Sequence, residues 1–274
     1  MNDQQTELNR SPNTNFTEKK DHSEIEKYKP LNPPTGIIGK TIAAFIDWVE
    51  KVLIKFSVNG NPPIYENSTF PWATEVEKDW QKIRKELDQV MERREELPSF
   101  HEITSEVKTI TQDDQWKTFF LAGFGLQSQE NCRRCPETAR LLKKIPGMKT
   151  AFFSILSPNK HIPPHRGAYN GVLRYHLGLI VPEPKEKCRI RIEREITHWE
   201  EGKSLIFDDS FNHEVWNETA GHRAVLFVDF ERPVKFPFNL LNKLLLNAAV
   251  FSPFIREAQE NQKQWEKRFY GQKS

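Results

Sequence analysis

Between residues 37 and 56 the apolar positions Ile38, Ile42, Phe45, Ile46, Val49, Val52, Leu53 and Phe56 recur at the spacing of one helix face. Lys40, Asp47, Glu50, Lys51 and Lys55 mostly occupy the other. This predicts an amphipathic helix. After the turn-rich NGNPP, the segment FPWATE opens a charged helix predicted over residues 74–97. WKTFFLAGFG has the texture of a strand, and a short helix over residues 136–144 begins with Pro136, which the first helical turn tolerates. From Lys149 the pattern shortens to the runs TAFFSIL, LRYHLGLIV, CRIRIERE, SLIFDD and AVLFVDF, separated by Pro, Gly, Asn or charged turns. Five or more short strands at this spacing fit an antiparallel sandwich or barrel better than alternating strands and helices. Residues 238–255 return to helical spacing and lead into the charged REAQENQKQWEKRFYG. The expected architecture is mainly β with flanking helices: a disordered arm over 1–35, which ends in the Pro-rich KPLNPPTG, a helical region over 36–115, a barrel over 116–235, and a helical tail over 236–274.

Composition narrows the classes. Forty Lys and Arg against 38 Asp and Glu give a net charge of +2, which offers no electrostatic reason to expect nucleic acid. Three cysteines do not read as a disulfide framework, so a reducing compartment is expected. The N-terminus has no apolar secretory core, and no apolar run reaches the roughly 20 residues that span a bilayer. A cytoplasmic location follows, with one qualification. The segments 37–56 and 238–255 combine bulky apolar residues with lysines, so they read either as helices packed on the barrel or as helices in peripheral contact with a membrane surface. Cys132 and Cys135 form a single CxxC without a second pair, and read as two thiols near a helix start. Trp72, Trp80, Trp116, Trp199 and Trp216 read as packing residues.

The histidines carry the chemistry. Five of the eight, His161, His165, His176, His198 and His213, fall in the β-rich segment. His165 lies in HIPPHRG, read as a strand end and turn; His213 lies in FDDSFNHEVWN, read as lying between two strands. Neutral imidazoles at the mouth of a barrel suit a ferrous ion that needs open positions, although a histidine in such a place is also an ordinary hydrogen-bonding residue. Arg174 and Arg223 interrupt runs that otherwise look like core strands, where a buried charge needs a partner. A dicarboxylate would supply one through the guanidinium fork, and His176 lies in the same run as Arg174; the alternative is an Arg at a strand end in water. Asp208 and Asp209 are consecutive, so only one of them, Asp209, is expected to face the site.

HIPPHRGAYNGVLRYHLGLIVP, WEEGKSLIFDDSFNHEVWN and RAVLFVDFERP, in that order and spacing, resemble the aspartyl/asparaginyl β-hydroxylase family, which includes bacterial lipid A acyl hydroxylases. The resemblance spans residues 116–233. It implies a double-stranded β-helix (jelly roll), Fe(II), 2-oxoglutarate as cosubstrate and O2. It further implies His165 and His213 as iron ligands, Ser154, Arg174, His176 and Arg223 as 2-oxoglutarate contacts, and Asp209 as a catalytic acid orienting a metal-bound water or ligand. Gly167 stands two residues after His165, where the usual facial triad has a carboxylate, matching the animal branch in which two histidines suffice. Such a gap also admits chloride in some iron halogenases. The activity implied is hydroxylation of an unactivated C–H in a lipid acyl chain, a peptide Asp/Asn-type side chain or a small molecule; a non-enzymatic binding module on a degenerate barrel is the alternative. The bacterial lipid enzymes look membrane-bound, and this chain is expected to lack their spanning helix.

Overall fold

The computed structural model describes residues 36–123 and 125–271. The arm expected over 1–35 lies outside them. The described residues supply eleven strands: β1 (Ile64–Tyr65), β2 (Trp116–Gly123), β3 (Leu126–Gln127), β4 (Met148–Leu156), β5 (Lys160–His165), β6 (Val172–Ile180), β7 (Cys188–Ile192), β8 (Glu195–His198), β9 (Ser204–Phe207), β10 (His213–Asn217) and β11 (Arg223–Glu231). They form a seven-stranded sheet in the order β1-β9-β6-β11-β4-β2-β3, facing a four-stranded sheet in the order β5-β10-β7-β8. Every pairing is antiparallel. This is the two-sheet barrel of a double-stranded β-helix.

Strand alternation explains where each side chain goes. On β4, β6 and β11 one set, including Phe153, Ile155, Tyr175, Leu177, Leu226 and Val228, enters the core formed with the helices. The other set, including Phe152, Leu156, Val225 and Phe227, faces Ile162, Ile190, Ile192 and Val215 of the smaller sheet. Ser154, Arg174, His176 and Arg223 share that second parity. They are therefore the polar positions on the wall between the two sheets.

The helices are α1 (Gly36–Lys55), α2 (Pro71–Glu77), α3 (Trp80–Met91), α4 (Phe100–Ile103), α5 (Gln129–Arg134), α6 (Pro136–Leu142), α7 (Phe238–Ala249) and α8 (Pro253–Gly271). The charged helix expected over 74–97 is instead α2 and α3, broken at Lys78–Asp79, and the break leaves Val76, Ile83 and Leu87 all buried. Glu86 of α3, buried, accepts hydrogen bonds from the Glu137 and Thr138 backbone N–H groups at 2.7 and 2.8 Å, satisfying the first donors of α6. The segment 238–255 is likewise two helices, bent by 52°, because Pro253 cannot continue α7. Leu246 of α7 is buried, and α8 enters the main core through Trp265 and Phe269.

Candidate metal centre and cosubstrate pocket

His165 ends β5 and His213 begins β10, and the two residues are register partners with ring centroids 4.1 Å apart. His213 thus belongs to a strand rather than to the link between two. The strand KHIPPH hides two prolines. It lies at the edge of its sheet, where an N–H can be lost, and β5 carries one residue more than β10 between the pairs His213–His165 and Val215–Ile162. That extra residue re-aims His165 toward its partner.

Each imidazole is fixed through one nitrogen. Nδ1–H of His165 donates to the Pro163 carbonyl at 2.8 Å, and Nδ1–H of His213 to the Phe211 carbonyl at 3.0 Å. A carbonyl only accepts, so the proton sits on Nδ1 and each Nε2 keeps its lone pair. Burial lowers the His165 pKa to about 4 and drives that of His213 well below the ordinary value, so both rings are neutral near pH 7. Two adjacent neutral imidazoles with free Nε2 atoms are what a borderline divalent ion requires. No group of three or more His, Cys, Asp or Glu side chains suited to a metal occurs among the described residues.

Gly167 explains how the third position is built. A Cβ placed there would meet Asp209 Oδ2 at 2.1 Å, so the Asp209 carboxylate occupies the space a side chain at 167 would need. Gly167 N–H also donates to the Asp209 carbonyl at 2.7 Å. The two adjacent acids separate as expected from their succession. Asp208 forms a fully buried ion pair with Arg232, whereas Asp209 turns to Arg174 at 2.7 Å with its Oδ1 unpartnered. Burial raises the Asp209 pKa above the usual carboxylate range against the pull of Arg174.

The two arginines differ. Arg174, expected as a 2-oxoglutarate contact, has its guanidinium taken up by two carboxylates, Asp209 and, at 2.9 Å, Asp229, and lies over the Phe227 ring. Arg223 has no carboxylate in ion-pair reach among the described residues; its Nε and Nη1 are buried without partners, and it stacks on Trp199 at 4.5 Å. Burial lowers its pKa to about 10. His176 shows the matching feature. Its Nδ1 accepts from Trp199 Nε1–H at 3.3 Å, which places the proton on Nε2, and that donor is buried and unpartnered. Ser154 accepts from Trp116 Nε1–H at 3.0 Å, leaving its own hydroxyl proton to donate. A buried, uncompensated guanidinium with two unused N–H groups beside a free imidazole N–H fits a bound carboxylate, and a ferrous ion with 2-oxoglutarate fits this donor set.

Three contributors were not anticipated. Trp199, read as packing, carries both Arg223 and His176. Asp229 is the lone acid in the run AVLFVDF and stands directly opposite Arg174 in the β6–β11 register. Glu50 of α1 accepts from Arg166 at 2.9 Å and from the Asn170 N–H at 3.0 Å, fixing the segment that follows His165. Its position on the polar face of α1 gave no sign of this.

A cavity of about 410 Å³ leads away from the site. Its lining includes His165, Arg174 and Asp209 of the site together with Leu246, Ala249 and Phe254 at the junction of α7 and α8. Its walls are largely apolar, with Phe100, Ile103, Val107 and Phe152 among them. Glu106 also lines it, and burial raises the pKa of that carboxyl.

Comparison with known proteins places the chain in a family. The sequence profile of the aspartyl/asparaginyl β-hydroxylase family matches residues 77–233. An ornithine lipid ester-linked acyl 2-hydroxylase from Rhizobium tropici is 51% identical over 89% of this chain and 86% of that protein. The human aspartyl/asparaginyl β-hydroxylase is 38% identical over 59% of this chain, but the match spans only 21% of that longer protein. Human aspartate β-hydroxylase domain-containing protein 2 is 37% identical over 45% of this chain and 35% of its own length.

Proposed function

This chain belongs to the aspartyl/asparaginyl β-hydroxylase family, and from that membership we propose that it is an Fe(II)- and 2-oxoglutarate-dependent hydroxylase acting on an acyl chain of a lipid. His165 and His213 would hold the iron through their free Nε2 atoms. Arg223, His176 and Ser154 would hold the carboxylates of 2-oxoglutarate, because theirs are the buried donors without a protein acceptor. When bound, iron with 2-oxoglutarate and O2 supplies the oxidising power for an unactivated C–H, with succinate and CO2 as co-products.

The remaining residues position and shield. Arg174 fixes Asp209 between the loop after β9 and the strand pair β6–β11, and Asp209 Oδ1, buried without a partner, would accept a hydrogen bond from a group held in the site. Gly167 makes room for that carboxylate. Phe152, Phe227 and Trp116 line the cavity beside the site and keep bulk water from it.

The observation that carries the lipid reading is the cavity. Its largely apolar lining joins His165 and Asp209 to residues of the α7–α8 junction, which suits an alkyl chain better than the polar backbone of a peptide. The similarity to an acyl 2-hydroxylase along most of both chains supports the same choice. Expression of the gene in a host that makes acylated amino-acid lipids is expected to add one oxygen atom to an acyl chain, and the His165→Ala variant is expected to add none. Lipids unchanged in mass, together with oxygen gained on an Asp- or Asn-containing peptide, would move the assignment to the peptide branch.

A further inference from the structure

Helices α1 and α7 pack side by side through Val49, Leu53, Phe238, Leu241 and Leu245, with the Phe56 and Phe238 rings 4.4 Å apart. The faces turned away from this seam are apolar too. Ile42, Phe45 and Trp48 on α1 and Leu240 and Leu244 on α7 are 44 to 66% exposed, and Phe236 and Phe251, flanking α7, are 77% and 71% exposed. An apolar surface concentrated on two neighbouring helices marks an interaction site.

Charge indicates what it meets. No Asp or Glu occurs between Glu231 and Glu257, whereas Lys235, Lys243 and Arg256 are exposed within that stretch. On α1, Lys40 and Lys55 add two cations, while Asp47 is paired with Lys51 and Glu50 with Arg166. The surface is therefore greasy and basic, as an interfacial helix face is. It is also continuous with the cavity. Phe254 lines the cavity at the α7–α8 junction and is 41% exposed.

We propose that the α1–α7 face docks on the surface of an anionic phospholipid bilayer and seats the outer end of the cavity against the acyl layer. The helices lie on the bilayer. No single helix among the described residues is long and apolar enough to cross one, and α8 cannot complete a span with α7 because Trp265 and Phe269 bury it against the barrel. The cavity's part in this rests on the lipid reading of the site; the docking does not.

The test is co-sedimentation of the full chain with vesicles of equal parts phosphatidylcholine and phosphatidylglycerol, and with vesicles of phosphatidylcholine alone. At low salt the partition into anionic vesicles is expected to exceed that into neutral ones by roughly tenfold or more. The triple variant Leu240→Ser, Leu244→Ser, Phe251→Ser is expected to lose about tenfold in partition with an unchanged melting temperature. The double variant Lys235→Glu, Lys243→Glu is expected to lose the preference for anionic vesicles. A chain that stays in the supernatant with both vesicle types would overturn the proposal, as would serine variants that sediment like the parent. So would a dimer in the ultracentrifuge that the serine substitutions dissociate, since the face would then belong to a second copy. Hydroxylation of detergent-dispersed lipid without vesicle binding removes the docking alone; vesicle binding without lipid hydroxylation removes the lipid reading alone.

Discussion

Arg223→Met separates stability from function at one atom group. Arg223 is fully buried with no carboxylate partner among the described residues, and burial lowers its pKa to about 10. That is more than two orders of magnitude in proton affinity below an ordinary guanidinium, equivalent to roughly 3 kcal/mol of unfavourable burial at about 1.4 kcal/mol per decade. Against this stands the stacking on Trp199 at 4.5 Å, worth about 1–2 kcal/mol, part of which a methionine stem keeps. Without cosubstrate the variant is therefore expected to be more stable than the parent by about 1–2 kcal/mol, which raises the melting temperature by roughly 5 °C. With Mn(II) in place of iron and 2-oxoglutarate at about a hundred times its dissociation constant, the parent should gain about 2.7 kcal/mol and the variant almost nothing. Scanning fluorimetry with and without 2-oxoglutarate reads both effects. A variant less stable than the parent when cosubstrate is absent, and still stabilised when it is added, refutes the assignment of Arg223.

Further outcomes follow from the same geometry. Gly167→Asp restores a carboxylate at the usual triad position, but its Cβ collides with Asp209 Oδ2, so a loss of about 1–3 kcal/mol is expected in urea unfolding, without tighter metal binding by titration; tighter binding at unchanged stability contradicts this. Asp208→Asn leaves Arg232 buried without its counter-charge and is expected to cost about 3–5 kcal/mol, whereas a loss below about 1 kcal/mol would show that the pair is dispensable. In metal-free protein, His165 takes up a proton near pH 6.5 when unfolded and only near pH 4 when folded. The unfolded state binds more protons between those values, so stability falls as pH drops from about 6.5 to about 4, by roughly 1.4 kcal/mol per pH unit for this residue, with His176 and His213 acting in the same direction. Asp209 and Glu106, whose carboxyl pKa values burial raises, act in the opposite direction, so urea unfolding of the parent and of His165→Gln at pH 7 and pH 5 isolates the histidine, and a pH dependence unchanged by the substitution contradicts it.

The barrel was legible because its strands alternate. TAFFSIL, LRYHLGLIV, SLIFDD and AVLFVDF correspond to β4, β6, β9 and β11, and the helix expected over 37–56 is α1. The strands that carry the histidines were harder to see. β5 contains Pro163 and Pro164, which only an edge strand with an extra residue accepts, and β10 is five residues long. Motif order named the candidate site residues, but not their partners. Arg174 finds Asp229 across a register 55 residues away, and Glu50 reaches Arg166 across 116; neither pairing leaves a periodic trace in the chain. In the folded barrel, strand alternation puts Arg174 and Arg223 on the same wall. Only packing distinguishes the arginine whose charge is already matched from the one whose charge is free.

The central claim is that oxidation at this barrel is coupled to 2-oxoglutarate turnover on two histidines and directed at a lipid acyl chain. It is tested most directly by incubating the purified protein with Fe(II), 2-oxoglutarate, O2 and an acylated amino-acid lipid, and measuring succinate and hydroxylated lipid together. The account predicts equal amounts of the two products, both dependent on added iron and both abolished in His165→Ala and His213→Ala. Hydroxylated lipid formed without succinate, or undiminished in the two histidine variants, would contradict it.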